Sequence, residues 1–241
     1  MSLPENIENE LSGFMETAKV ILKNDLVSIV LFGSAVQERL RKTSDVNLLV
    51  VLNKYDQQKM AGLRESYRNA RASINLHAMF ICENELPETS ELFAVKFDDI
   101  INRHKILYGK NPLEKIEISR EARLRRVKTV LVNFRLRLRE KLMLSAMREE
   151  QLIDLISENA SVLRSAAASI LRLEGTEIHS PVEALEKICA TLTDSSLKEI
   201  ARTISEVRRN SSSAPGKAED ILNSMMQLGE VLLQHISKIK A

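Results

Sequence analysis

An apolar, β-branched run that stops abruptly at a glycine limits most strongly how this chain can fold. The run Val27–Phe32 (VSIVLF) leads directly into Gly33-Ser34, and Asp45, eleven positions after Ser34, opens a second run, DVNLLVVL. Runs of this length bounded by a glycine turn are typical of buried strands. The sequence therefore predicts two strands connected through the Gly-Ser turn and a short helix over 34–42.

The remainder of the first half alternates between helix and strand patterns. Apolar spacing predicts helices over 5–23 and 56–72, the second with Asp56 as its N-cap. A third strand is predicted over Ile74–Ile81, and a further helix from Pro87 to about Tyr108. Strands that alternate with helices in this way indicate an α+β or α/β unit.

The second half shows no strand pattern beyond Gly109-Lys110-Asn111-Pro112. Apolar residues at spacings of three and four predict five helices, over 119–148, 150–173, 181–190, 195–209 and 218–239. Gly175 fits the position just after a helix, and Ser180-Pro181 fits a helix start. We therefore predict two domains, a mixed-sheet domain over 1–112 and an all-α helical bundle over 113–241.

Composition excludes several classes of protein. The 241 residues carry a net charge of +2 and include only two cysteines, Cys82 and Cys189, which form no zinc-binding or disulfide pattern. The polar N-terminus is unlike a secretory signal, and the longest apolar runs are too short to cross a bilayer. A cytoplasmic protein with no membrane partner is the resulting expectation.

One constellation suggests chemistry. A glycine at a strand-to-helix turn allows close approach of the backbone to a phosphate, and a helix N-terminus presents N–H groups to it. Alternation places Asp45 and Asn47 on one face of the second strand, beside that turn. Phosphate-binding groups opposite acidic side chains are what Mg²⁺-assisted nucleotidyl transfer requires. The alternative is an ordinary turn in which Ser34 caps a helix and no ligand binds.

The segment Leu31-Phe32-Gly33-Ser34, together with Asp45, resembles the motif of the polymerase-beta-like nucleotidyltransferase superfamily. That motif is a hydrophobic residue, Gly-Ser, about ten variable positions and Asp-x-Asp, with a third acidic residue on a later strand. The resemblance extends over 27–109 and includes Ile106-Leu107-Tyr108-Gly109, similar to the end of the core in the small members. The helical half is similar in architecture to the bundle of kanamycin nucleotidyltransferase. The resemblance implies an α+β nucleotidyltransferase fold in which Gly33 and Ser34 contact the nucleotide phosphates.

Two departures from the motif concern the metal site. Asn47 stands at the second acidic position, and the third acidic position aligns most naturally with Asn75. The predicted catalytic set is thus Asp45, as the residual carboxylate and metal ligand, with amides at Asn47 and Asn75. One carboxylate cannot offset the charge of two metal ions, so Mg²⁺ binding is expected to be weak or absent. His77, on the same predicted strand face, is a poor ligand for Mg²⁺.

Three functions remain open at this point. The first is a nucleotidyltransferase-like protein with lost or reduced transfer of NMP, which still binds a nucleoside triphosphate or a partner. The second is an active Mg²⁺-dependent nucleotidyltransferase that modifies a small molecule, a protein or RNA. The third is an interaction module that binds a partner protein or a second copy through its helices. Nine basic residues against two acidic ones over 119–141 raise the question of RNA binding. They surround the predicted helix rather than forming one stripe, which favours salt bridges within the bundle over RNA binding.

Overall fold

The structure, a computed structural model, describes residues 4–36, 45–192 and 194–239. Contacts divide the chain into two compact units, Met1–Ile118 and Ser119–Ala241. The first unit holds a sheet with helices on both faces, and the second consists of helices. Each unit is described separately below.

A four-stranded mixed sheet forms the centre of the first unit. Its strands are β1 (Leu26–Phe32), β2 (Val46–Leu52), β3 (Leu76–Cys82) and β4 (His104–Gly109), in the spatial order β3-β2-β1-β4. β1 runs antiparallel to β2 and β4, and β2 runs parallel to β3. The two central strands, β1 and β2, are buried almost throughout, as their β-branched and leucine-rich sequences predict.

Helices cover both faces of this sheet. On one face, α1 (Glu5–Leu22) and α2 (Gln57–Ile74) bury their apolar stripes against alternate residues of the strands. On the other, α3 (Leu86–Leu92) and α4 (Ala94–Asn102) pack with the segment around Leu113. The predicted N-cap of α2 is confirmed, since the carboxylate of Asp56 accepts hydrogen bonds from the N–H groups of Gln58 and Lys59.

Two predictions for the first unit are wrong. The residues from Pro87 to Tyr108 do not form one helix, because β4 pairs with the free edge of β1 and ends at Gly109. Gly109 has a φ of +76°, and a Cβ there would lie 2.0 Å from the carbonyl oxygen of Val27. The third strand begins at Leu76 rather than Ile74, which is the last residue of α2. Most of the predicted helix over 34–42 lies outside the described residues.

The second unit contains six described helices. They are α5 (Arg120–Leu144), α6 (Glu149–Leu173), α7 (Pro181–Ala190), α8 (Ser195–Lys198), α9 (Ile200–Asn210) and α10 (Ala218–Lys238). α6 is central, since it packs against α5, α7, α9 and α10. The single helix predicted over 195–209 is instead two, which meet at Glu199. Gly175 has a φ of +76° just beyond α6, and the hydroxyl of Ser180 caps α7, both as predicted.

Two basic residues of α5 form ion pairs with other helices of this unit. Arg135 pairs with Glu230 of α10 at 2.6 Å, and Lys141 pairs with Glu158 of α6. Basic residues scattered around a helix, as they are on α5, favour ion pairs with the neighbouring helices of a bundle. No helix in the described part of the chain combines the length and the apolar character needed to cross a membrane.

Candidate functional site

Four strand ends meet at one edge of the sheet. The register places Phe32, the last residue of β1, opposite Asn47 of β2 and His104 of β4, and it places Asn47 opposite His77 of β3. Side chains of residues paired in this way lie on the same face of a sheet. The Gly-Ser turn follows Phe32 directly, so the turn and these polar residues share one edge.

The backbone of the turn depends on its glycine. Gly33 has a φ of +82°, a region that other residues adopt only with strain. Gly33, Ser34 and Ala35 form one turn of 3₁₀ helix, in which the carbonyl of Gly33 accepts a hydrogen bond from the N–H of Val36 at 3.2 Å. The N–H of Gly33 donates to the carbonyl of Arg103 at 3.3 Å. Because the N–H of Gly33 is already used, the first backbone N–H of the turn that an anion could bind is that of Ser34.

Asp45 lies at the centre of the polar residues on this edge. Its Oδ1 accepts a hydrogen bond from Nδ2 of Asn75, and Nε2 of His77 lies 3.8 Å from the same oxygen. The amide of Asn47 donates to the backbone carbonyl of Asp45 at 3.4 Å and lies 3.7 Å from where a Cβ of Gly33 would be. The structure thus brings together Gly33 and all three residues predicted as the catalytic set.

Asn75, however, does not lie on the third strand as predicted. It is the C-cap of α2 and has a φ of 51° and a ψ of 46°, the left-handed conformation that asparagine tolerates better than most residues. Its side chain reaches Asp45 from that cap, not from a strand register. The strand position opposite Asn47 is taken by His77. The alternation that placed Asn75 and His77 on one strand face therefore does not apply.

Arg71, near the end of α2, belongs to the same group and was missed in the sequence. One of its guanidinium nitrogens lies 3.1 Å from Nδ1 of His77 and 3.4 Å from the carbonyl oxygen of Leu76. A guanidinium can only donate, so Nδ1 of His77 accepts and the imidazole proton lies on Nε2, towards Asp45. No motif marks Arg71, since its role depends on the turn between α2 and β3.

The described part of the site is poor in carboxylates. Asp45 is its single described carboxylate, the side chain is half exposed, and one of its oxygens already accepts from an amide. Across the described residues, no group of three histidine, cysteine or acidic side chains is placed to hold a metal ion. Glu83, beyond the far end of β3, pairs with Lys110 at 2.5 Å. Catalytic magnesium normally needs carboxylates to balance its charge.

Comparison with known proteins identifies a structural relative. No protein-family description and no curated protein sequence matches the chain. Among solved structures, it is similar to spectinomycin adenyltransferase AAD(9) from Enterococcus faecialis, whose crystal structure contains ATP and spectinomycin. The TM-score is 0.63 with 15% sequence identity, and the match covers 96% of this chain and 99% of that one. This similarity confirms the predicted α+β nucleotidyltransferase fold with a helical C-terminal region.

Proposed function

We propose that this protein is a nucleotidyltransferase-like protein that binds a nucleoside triphosphate and has lost most or all of its ability to transfer NMP. The observation that carries the proposal is the edge of the sheet at the Gly-Ser turn. There a glycine-dependent turn stands beside Asp45, the one carboxylate of the site among the described residues, and an oxygen of Asp45 accepts a hydrogen bond from the amide of Asn75. The fold shared with an adenyltransferase supports nucleotide binding at this edge.

Loss of transfer follows from charge. In a nucleotidyltransferase, magnesium ions neutralise the phosphates and activate the attacking group. Asn47 and His77, the paired residues beside Asp45, carry no carboxylate, and Asn75 uses its N–H rather than its oxygen towards Asp45. Among the described residues at this edge, Asp45 therefore supplies the one formal negative charge that could offset the positive charge of a metal ion. These residues do not fit a catalytic metal ion.

Calorimetric titration with ATP and the other nucleoside triphosphates, with and without Mg²⁺, tests this proposal. We expect binding that Mg²⁺ does not strengthen, and no release of pyrophosphate in the presence of candidate acceptors. Binding that requires Mg²⁺, accompanied by pyrophosphate release, would identify an active enzyme instead. Absence of binding to any nucleotide would leave only an interaction role.

Restoring the carboxylates gives a sharper test, and the register decides where to place them. In the double variant Asn47→Asp/His77→Asp, carboxylates on paired positions of β2 and β3 join Asp45. Asn47→Asp/Asn75→Asp is the matched control, because its second carboxylate sits on the α2 cap. We expect Mg²⁺ affinity to rise at least tenfold in the first variant and less in the second. Equal affinities in both variants and the wild type would disprove this assignment of the metal positions.

Association of two copies through the helical unit is a second candidate role. Met143 and Leu144, at the end of α5, are 86% and 80% exposed, and Leu136 on the same helix is 56% exposed. A contiguous patch of exposed apolar side chains on one helix marks a site where a partner can bind. Sedimentation velocity would show a dimer that Met143→Glu/Leu144→Glu dissociates. A wild-type protein that sediments as a monomer at tens of micromolar would exclude this role.

A further inference from the structure

Among the residues that the structure describes, Lys96 on α4 has no negatively charged partner. The ammonium group of Lys96 lies over the ring of Phe32, 5.8 Å from its centroid. Within 4–36, 45–192 and 194–239, no carboxylate or hydrogen-bond acceptor contacts that ammonium. Lys19 provides a comparison, because it lies over the ring of Tyr108 at 5.3 Å and is also paired with Glu16 at 2.7 Å. Lys96 has the aromatic contact but no counter-ion from the described part of the chain.

The position of Lys96 relates it to the candidate site. Phe32 precedes the turn glycine directly and is paired with Asn47 across the sheet. Phe32 packs with the core on the α4 side of the sheet. Asn47 and His77, paired in the same row, face that side too. Lys96 therefore lies on the same face of the sheet as Asn47 and His77, next to Phe32, the residue that precedes the turn.

The surroundings of this lysine leave room for an anionic ligand. Lys96 is an exposed residue of α4, and partial desolvation of its ammonium lowers its pKa, so the charge keeps only part of its hydration. A cation–π contact offsets only part of such a cost. A phosphate at the turn would supply the missing counter-charge, and the lysine would in turn neutralise the phosphate where carboxylate-bound metal is lacking.

We propose that Lys96 binds the phosphates of the nucleotide held at the Gly33-Ser34 turn and replaces part of the positive charge that magnesium supplies in active nucleotidyltransferases. This inference rests on the proposed function, since it specifies how that same site holds a triphosphate. It adds a contact from α4 that neither the turn nor the Asp45 group provides.

Three ligands and three lysine variants test the proposal. ATP, inorganic tripolyphosphate and adenosine are titrated without Mg²⁺ into the wild-type protein, Lys96→Met and the control Lys19→Met. We expect Lys96→Met to weaken ATP and tripolyphosphate binding at least tenfold and to leave adenosine binding unchanged. Lys19→Met should bind all three ligands as the wild type does. Lys96→Arg, which keeps the charge, should retain most of the affinity.

The outcomes separate this inference from the proposed function. If the wild type binds neither ATP nor tripolyphosphate, the proposed function is wrong and Lys96 has no phosphate to bind. If the wild type binds both and Lys96→Met binds them equally well, the proposed function stands and the role of Lys96 is wrong. Equal weakening for adenosine would also disprove a phosphate contact. Circular dichroism verifies the fold of each variant, and Lys96→Gln replaces Lys96→Met if the latter does not fold.

Discussion

At the scale of single residues, Asp25 and Lys59 form an ion pair in which the carboxylate is almost fully buried. The carboxylate of Asp25 is 7% exposed and lies 2.5 Å from Nζ of Lys59, which is 33% exposed. Lys59 also donates to the carbonyl of Leu22 at 3.3 Å. A buried carboxylate that loses its partner keeps the cost of desolvation without the compensating attraction. This lysine therefore links α2 to the start of β1.

Lys59→Met should lower the free energy of unfolding by about 2 kcal/mol, since it leaves the Asp25 carboxylate buried and uncompensated. Lys19→Met is the matched control. Lys19 is 32% exposed, almost the same as Lys59, but its partner Glu16 is 65% exposed. An exposed pair contributes less than about 1 kcal/mol. Urea denaturation measures both variants, and equal losses of stability would show that burial of the partner does not matter here.

The two thiols give a prediction with a definite dependence on pH. Burial raises the pKa of Cys189 to about 11, and burial followed by the nearby Glu85 raises the pKa of Cys82. Only the thiolate is nucleophilic, so both should react slowly with iodoacetamide at pH 8, and fully buried Cys189 should react only after unfolding. Cys82→Ser and Cys189→Ser assign the labelled residue by mass spectrometry. Rapid labelling of Cys189 in the native protein would contradict the buried position.

The same shift affects stability at alkaline pH. Because the pKa of Cys189 is higher in the folded protein than in the unfolded chain, the unfolded chain loses its thiol proton first. Stability is therefore unaffected below the unfolded pKa and decreases as pH rises towards about 11. Cys189→Ala should remove that part of the decrease, which thermal melts between pH 8 and 10.5 would detect. A variant with the same alkaline decrease as the wild type would assign it to other groups.

At the scale of elements, glycines inside helices show where close packing decides stability. Gly229 lies in α10, and a Cβ there would be 2.7 Å from Cε1 of Phe134 on α5. Gly13 lies in α1, where a Cβ would meet nothing within 4 Å. Close contact with a ring thus requires glycine at position 229, whereas no packing contact requires it at position 13.

Gly229→Ala should destabilise the protein by about 1–2 kcal/mol, because overpacking against Phe134 exceeds the gain in helix propensity. Gly13→Ala should stabilise it by about 1 kcal/mol, since alanine forms helix better and fits without contact. Thermal unfolding followed by circular dichroism measures both effects. Stabilisation by Gly229→Ala would mean that α5 and α10 can separate slightly without loss of other contacts.

The elements that sequence predicts well are those with a strong local pattern. β1, β2 and the long helices follow from apolar runs, periodicity and caps such as Asp56. β4 was missed because no turn signal precedes its residues. It forms a strand because it pairs with β1, which is distant in sequence, and the hydroxyl of Ser28 donates to the carbonyl of Tyr108. Asn75 was assigned to the third strand in error, because its left-handed backbone ends α2 and β3 starts only at Leu76.

The site shows the same division between local and long-range information. The spacing of Gly33, Ser34 and Asp45 indicated one edge of a sheet, and the structure places Asn47 beside both: its amide donates to the carbonyl of Asp45 and would lie 3.7 Å from a Cβ at Gly33. Arg71 and Lys96 were missed because they reach that edge from α2 and α4, helices that are distant in sequence from the turn. Sequence spacing cannot place a side chain that arrives through packing.

At the scale of the whole molecule, the boundary between the two units determines which fragment folds. The end of the strand pattern predicted it near Pro112, and the two compact units divide between Ile118 and Ser119. Leu113 is 3% exposed and belongs to the core on the α4 side of the sheet, and Ile116 and Ile118 pack against it. Three apolar side chains beyond Pro112 therefore complete the first unit.

Fragments that end at different residues test that boundary. A fragment of residues 1–118 should unfold cooperatively, because it keeps both cores of the sheet. A fragment of residues 1–112 should be less stable by at least about 3 kcal/mol, since it exposes apolar surface that Leu113, Ile116 and Ile118 cover in the full chain. In the fragment of residues 1–118, the substitution Leu113→Ala should lower the free energy of unfolding by about 2–3 kcal/mol. Urea denaturation compares the three proteins, and equal midpoints for the two fragments would place the boundary at Pro112 instead.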